Sequence, residues 1–280
     1  MMSCGSFTMV VPPGLGALRP VVFDDLVRLG NTHDGGYVLP RAILEGSDAL
    51  VTCGLALEWT FELEYRKLFS QKPIWAFDYT VDPKHYYKRF LTGLKRLPML
   101  RKGAFRDLMR SYARQREFDR LFNGITGIFR PKRIFNRIEQ VSYDITLPQV
   151  FGAIRGESRL IAKIDIEGSE YRIIDDLLDF KHMVTCILLE FHDTEPFREP
   201  FLKALAKLQD AYVLAHLHGN NYVGAASDGL PEVLELTLVR KDLVSNSSAA
   251  KLRSHLPLPG LDFPNHPDRP DFHFDFTQMT

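Results

Sequence analysis

Six apolar runs of six to eight residues, three of them closing on a glycine or an acid, constrain this chain more than any other feature. They are Ala49–Gly54, Pro73–Asp78, Leu160–Asp165, Val184–Phe191, Tyr212–Leu217 and Val233–Val239. Runs this continuous belong to strands buried on both faces, and such strands occur in parallel sheets. Stretches of helical spacing lie between them. Phe61, Tyr65, Leu68 and Phe69 fall on one helical face, and further helices are expected near 169–178 and 197–209. Strands alternating with helices predict a Rossmann-like α/β fold, a mostly parallel sheet with helices on both faces. A chain of 280 residues, 45% hydrophobic, can fill such a core.

Three segments fall outside this rhythm. Residues 1–27 read as an N-terminal arm, 28–245 as the α/β domain and 246–280 as a C-terminal tail rich in Pro, His, Asp and Phe. Within the domain, 84–133 carries fifteen basic residues and three acids, a net of +12 in a chain whose total charge is zero. It reads as a basic helical insertion. Such a surface suits an anionic acceptor, or peripheral contact with an anionic membrane. A neutral total gives no sign of nucleic-acid binding. The three cysteines, Cys4, Cys53 and Cys186, are too few and too scattered for a disulfide framework or zinc knuckle. No apolar run approaches the ~18 residues of a membrane span. No signal-peptide pattern opens the chain, so a cytoplasmic setting is expected.

In a doubly wound sheet, ligands bind beyond the carboxyl ends of the strands. Gly54, without a Cβ, would let a ligand approach the backbone closely, and Asp78 could accept the two ribose hydroxyls of an adenosine. No further glycine follows Gly54 in Leu55-Ala56-Leu57-Glu58, which disfavours a pyrophosphate and favours a cofactor without one. Lys163, Asp165, Glu167 and Glu170 crowd the third strand end; Glu190, His192 and Asp193 crowd the fourth. If they converge, Asp165, Glu190 and His192 could hold a divalent cation, magnesium or manganese, or activate a hydroxyl. His218, Asn220 and Asn221 are expected on the rim of the fifth strand, with His216 inside it.

These residues resemble FkbM-type methyltransferases. Ile161-Ala162-Lys163-Ile164-Asp165-Ile166-Glu167-Gly168-Ser169-Glu170 is similar to that family's hallmark strand and turn. Arg28–Asn31 with Asp34-Gly35-Gly36-Tyr37, Gly54 with Thr60-Phe61-Glu62, Ala76-Phe77-Asp78, Leu189–His192 and His218–Tyr222 resemble its other motifs in order, from about residue 28 to 240. The resemblance implies a class I methyltransferase fold, S-adenosylmethionine as donor and methylation of a hydroxyl on a sugar, sugar nucleotide or glycan, as in polysaccharide biosynthesis. It implies cofactor contacts at Asp34, Gly35, Gly36, Tyr37, Gly54, Glu62, Phe77, Asp78, Asp144 and Asp165. Catalytic roles fall to Asp165, His192 and His218, and acceptor contacts to Glu167, Asn220 and Asn221. The chain departs from the family in its single loop glycine and in its long basic segment. A nicotinamide-dependent oxidoreductase and a non-catalytic glycan- or nucleotide-binding module are the alternatives.

Overall fold

The computed structural model describes residues 7–11, 13–95, 104–154, 156, 158–244 and 251–278. The chain opens with β1 (Phe7–Val10), the antiparallel pair β2 (Leu26–Leu29) and β3 (Tyr37–Pro40), and α1 (Arg41–Gly46). Alternation follows: β4 (Ala49–Cys53), α2 (Thr60–Leu68), β5 (Ile74–Phe77), the helical pair α3 (His85–Lys95) and α4 (Ala104–Leu121), then β6 (Gly127–Arg130). Two short strands, β7 (Arg133–Ile134) and β8 (Asp144–Ile145), precede α5 (Leu147–Ala153), β9 (Leu160–Ile164) and α6 (Ile174–Asp179). The chain continues with β10 (Val184–Phe191), α7 (Arg198–Ala211), β11 (Tyr212–Gly219) and β12 (Leu234–Arg240), and closes with β13 (His255–Leu256) and β14 (Phe272–Asp275).

Seven strands form the central sheet in the order β11-β12-β10-β9-β4-β5-β6. Only β12 runs against its neighbours; the other pairings are parallel. A parallel sheet whose antiparallel last strand is slotted beside the fifth is the class I methyltransferase arrangement, a Rossmann-like fold. Period-two alternation sorts the strand residues into two cores. Ala49, Val51, Leu160, Ala162 and Leu189 pack with Phe151, Leu177, Phe201 and Leu205 of α5, α6 and α7. Leu50, Ile74, Ile161 and Leu188 pack with Leu39, Phe61 and Tyr65 under β3 and α2. Burial on both faces is why these strands lack hydrophilic alternation.

The structure differs from the sequence expectation in two elements. The range 84–133 is not wholly helical: its end is β6, the seventh strand and the sheet's edge. Gly127-Ile128-Phe129-Arg130 is short, half-exposed and set among basic residues, so no long apolar run announces it. The helix expected near 169–178 begins as a single tight turn, Glu170–Arg172, and becomes α-helical only from Ile174.

The terminal segments pack on the body. β14 lies between β1 and β13 in a three-stranded sheet. Cys53 and Cys186 are buried free thiols; Cys4 lies outside the described residues, as do Arg96, Arg101 and Lys102 of the basic segment. Among the described residues, no helix is long and apolar enough to cross a membrane.

Candidate active site

The chain runs β4, β5, β6 toward one edge and then returns to β9 on the other side of β4. The reversal opens a crevice at the carboxyl ends of β4 and β9, where open α/β sheets bind ligands. A cleft of about 230 Å³ lies there, lined by Gly54, Ala56, Phe77 to Thr80, Lys132 to Ile134, Asp165 to Glu167 and Ser169. Gly54 has φ +84°, and a Cβ on it would stand 1.5 Å from the Asp165 carbonyl oxygen. Its first role is therefore to let the chain leaving β4 pass close to the Asp165 backbone at the tip of β9, ahead of any approach by a ligand. Ala56 and Glu167 also line the cleft with positive φ, +49° and +53°. Side chains seldom adopt that backbone, and it gathers at functional sites.

Asp78 closes β5 and is buried. Its Oδ2 accepts from the Leu55 and Ala56 amides at 2.9 and 2.7 Å, and its Oδ1 from the Thr80 amide and hydroxyl at 2.7 and 2.6 Å. It thus ties the β4–α2 loop to the β5 end, and both oxygens are already committed.

Beside the cleft, Asp165, Glu190 and His192 converge, each offering one atom within 4.8 Å of the others. Adjacent parallel strands bring them together: β9 and β10 pair Ile164 with Leu189, so the residues just beyond share one end. His192 Nε2 lies 3.8 Å from Asp165 and 3.6 Å from Glu167, and Nδ1 lies 3.2 Å from Glu170. Glu170 is fully buried and accepts from the Ile166 and Gly168 amides, holding the turn and the imidazole together. Glu190 accepts from the Tyr37 hydroxyl at 3.3 Å and Asn220 Nδ2 at 2.9 Å.

Charge in this setting is strongly perturbed. Burial pushes Asp165 up to about 6, against the pull of Lys163 and His192. Burial and the neighbouring Asp165 and Glu235 carboxylates hold Glu190 well above the usual range. Burial opposes the His192 cation, but Glu170 and Glu190 outweigh it and raise that imidazole to about 9. Lys163 is the buried cation among these acids. Its Nζ lies 3.8 Å from Glu62 and 3.5 Å from the Gly54 carbonyl, and 5.5 Å from the centre of the Tyr37 ring.

Sheet register extends this cluster along two neighbouring rungs of one sheet face, one through Lys163 and one through Glu190. Thr52 pairs with Lys163, Lys163 with Leu188, Glu190 with Glu235, and Glu235 with His218. The C-terminal segment seals the far end of the Glu190 rung. His218 contacts Glu235 with Nδ1 at 3.3 Å and Asp271 with Nε2 at 3.2 Å. His216 meets Asp262 at 3.1 Å, and Asn265 donates to Glu235 at 2.6 Å.

The expected site residues thus divide. Asp165, Glu167, Glu190 and His192 come together at the cleft, with Gly54, Phe77 and Asp78 along its wall, while Tyr37, Glu62 and Asn220 stand behind them. Asp34 is reached by Asn265, and burial raises its pKa. Gly35 and Gly36 sit in the β2–β3 turn, where a Cβ would strike Glu58 in one case and the Asn31 carbonyl in the other. Three expectations are corrected. His218 does not point to an open rim, because both ring nitrogens are taken. Asn221 bonds inside the C-terminal segment, donating to the His266, Arg269 and Pro270 carbonyls. Asp144 does not line the cleft; it is buried behind Arg133, accepting from its Nε at 2.8 Å.

Sequence reasoning missed Lys132 and Arg133, which line the cleft beyond β6. The strand-end rule reaches them once β6 is recognised as a strand. It also missed Asp262, Asn265 and Asp271, whose roles depend on where the tail lands.

No family model matches the chain, and no curated protein matches it. Among solved structures it is similar to precorrin-6y C5,15-methyltransferase from Geobacter metallireducens GS-15, at 13% identity over 71% of this chain and 85% of that one, with a TM-score of 0.34. At that distance the likeness identifies neither a family nor a reaction.

Proposed function

We propose that this chain is an S-adenosylmethionine-dependent O-methyltransferase acting on a carbohydrate hydroxyl. The observation that carries the reading is the meeting of Asp165, Glu190 and His192 beside a crevice at the β4–β9 switch point, on a class I methyltransferase sheet. The residues fit the donor. The β4–α2 loop has one glycine and its Leu55 and Ala56 amides are already taken by Asp78, which leaves them no part in holding a pyrophosphate, while Asp78 ends β5 where a ribose diol could be accepted. Accepting the diol would require the Asp78 oxygen now bonded to Thr80 to change partner. When bound, the donor supplies a methyl group on a sulfonium.

The acceptor oxygen forms the new C–O bond as the C–S bond breaks, leaving a neutral thioether, and the hydroxyl proton must leave. Asp165 receives that proton, since its pKa of about 6 suits a base near neutral pH. His192 positions Asp165, and Glu170 positions His192. A magnesium or manganese ion, if used, would be held by Asp165, Glu190 and His192 and would acidify the hydroxyl. An anionic acceptor such as a sugar nucleotide or acidic glycan would meet Lys132 and Arg133 on the cleft wall, in competition with the Glu139 and Asp144 carboxylates on Arg133 and the Val141 and Ser142 carbonyls on Lys132.

Titration calorimetry with S-adenosylhomocysteine and with NAD tests the donor: binding of the first alone is expected, and binding of NAD alone would overturn the reading. Asp165→Asn should lower turnover by about 10²–10⁴-fold, because the proton acceptor is lost. Unchanged turnover would remove Asp165 from the chemistry, and turnover surviving exhaustive chelation would remove the ion.

A further inference from the structure

The helical pair α3–α4 is anchored on one side and open on the other. On the anchored side, Trp59 packs edge-on against Phe118 and Tyr86, with ring centres 5.4 and 5.8 Å apart. Arg114 lies 4.1 Å from the Trp59 ring and donates to the Leu57 carbonyl at 2.9 Å. The helices approach closely where Gly93 faces Leu108; a Cβ on Gly93 would come within 2.7 Å of Leu108 Cδ1.

The open side carries two apolar stripes. Tyr87, Leu91 and Leu94 lie on one face of α3, and Phe105, Met109 and Tyr112 on one face of α4, each spaced i, i+4, i+7. The Phe90 and Tyr112 rings meet at 5.3 Å, which brings both stripes to the same side of the pair. All six side chains are exposed, by 38% to 65%. A contiguous patch of large apolar side chains marks an interaction surface.

The charges flanking this face are of one sign. α3 contains no acid, and the acids of α4 are engaged: Asp107 with Arg110, Glu117 with Arg114, and Asp119 with Gln115. Arg106, Arg116 and Arg120 are exposed and make no ion pair among the described residues. An apolar face flanked by arginines matches the interfacial zone of an anionic bilayer, with acyl chains within and phosphates around.

We propose that the exposed face of α3–α4 docks on anionic membrane surfaces, its apolar stripes entering the headgroup boundary and its arginines pairing with lipid phosphates. Docking at this face is independent of which reaction the cleft performs. It is tested by flotation of the full chain with phosphatidylcholine vesicles, alone or with about one third phosphatidylglycerol, at low and high salt. The protein should float with the anionic vesicles and release as salt rises. Leu91→Asp/Met109→Asp should lower partitioning by at least about tenfold, and so should Arg106→Glu/Arg116→Glu, with thermal unfolding unchanged because all four side chains are exposed. Equal partitioning to both vesicle types, no partitioning, or variants that float like the parent would overturn the proposal. Self-association abolished by Leu91→Asp/Met109→Asp, without vesicle binding, would overturn it in favour of contact between two copies.

Discussion

Replacing Lys163 with Met probes whether the buried acids around it are held by one cation. Lys163 is 4% exposed and Glu62 is fully buried, with Glu62 Oε2 lacking any hydrogen-bond partner. At their separation of 3.8 Å, two unit charges attract by about 4 kcal/mol at an effective dielectric of about 20. Removing one member of a buried pair typically costs about 3–5 kcal/mol, since the other charge stays buried and uncompensated. Here Asp165 and Asp34 also lose a favourable field, so the cost should fall near the top of that range. In a chain of this size, where each kcal/mol moves the melting temperature by about 2–4 °C, Lys163→Met should melt roughly 10 °C or more below the parent. The double variant Lys163→Met/Glu62→Leu removes both charges and should recover most of the loss, as apolar replacement of a buried pair often does. Urea unfolding of the parent, both single variants and the double variant yields the coupling energy directly. A Lys163→Met protein within about 1 kcal/mol of the parent, or a double variant no better than the single, would refute the reasoning.

Two further predictions concern the sheet and its C-terminal seal. Gly54→Ala should lose about 1–2 kcal/mol from the left-handed backbone alone, and more because its Cβ would overlap the Asp165 carbonyl; a native urea midpoint would contradict the close approach of Gly54 to Asp165. Burial opposes the His218 cation, but Asp271 and Glu235 outweigh it and raise its pKa to about 10. Because this folded value lies above the unfolded one near 6.5, its stabilisation is complete below about pH 6.5 and is lost as pH rises toward about 10. His218→Gln should flatten the stability profile across that interval, and an unchanged slope would mean that His218 is not charged in the folded chain.

Local pattern in the chain sets the layers and the residues at each strand tip. Leu160–Ile164 and Val184–Phe191 read as strands because burial on both faces leaves a continuous apolar signature, and that signature is local. Asp78, Asp165, Glu190 and His192 were legible for the same reason, as polar residues placed where a buried strand must end. β6 was not, because a half-exposed edge strand of four residues leaves no such pattern. Which strand tips are neighbours depends on long-range strand pairing. Strand order and register bring Asp165 to Glu190 and His192, and they carry Glu235 to His218, from positions with no local relation in the chain. Where the C-terminal segment lands was likewise invisible locally: Asp262, Asn265 and Asp271 satisfy buried groups on β11 and β12, and this turns His218 from an open strand-end histidine into a sealed ion pair. Periodicity reports what each segment buries, whereas convergence depends on long-range pairing, which periodicity does not encode.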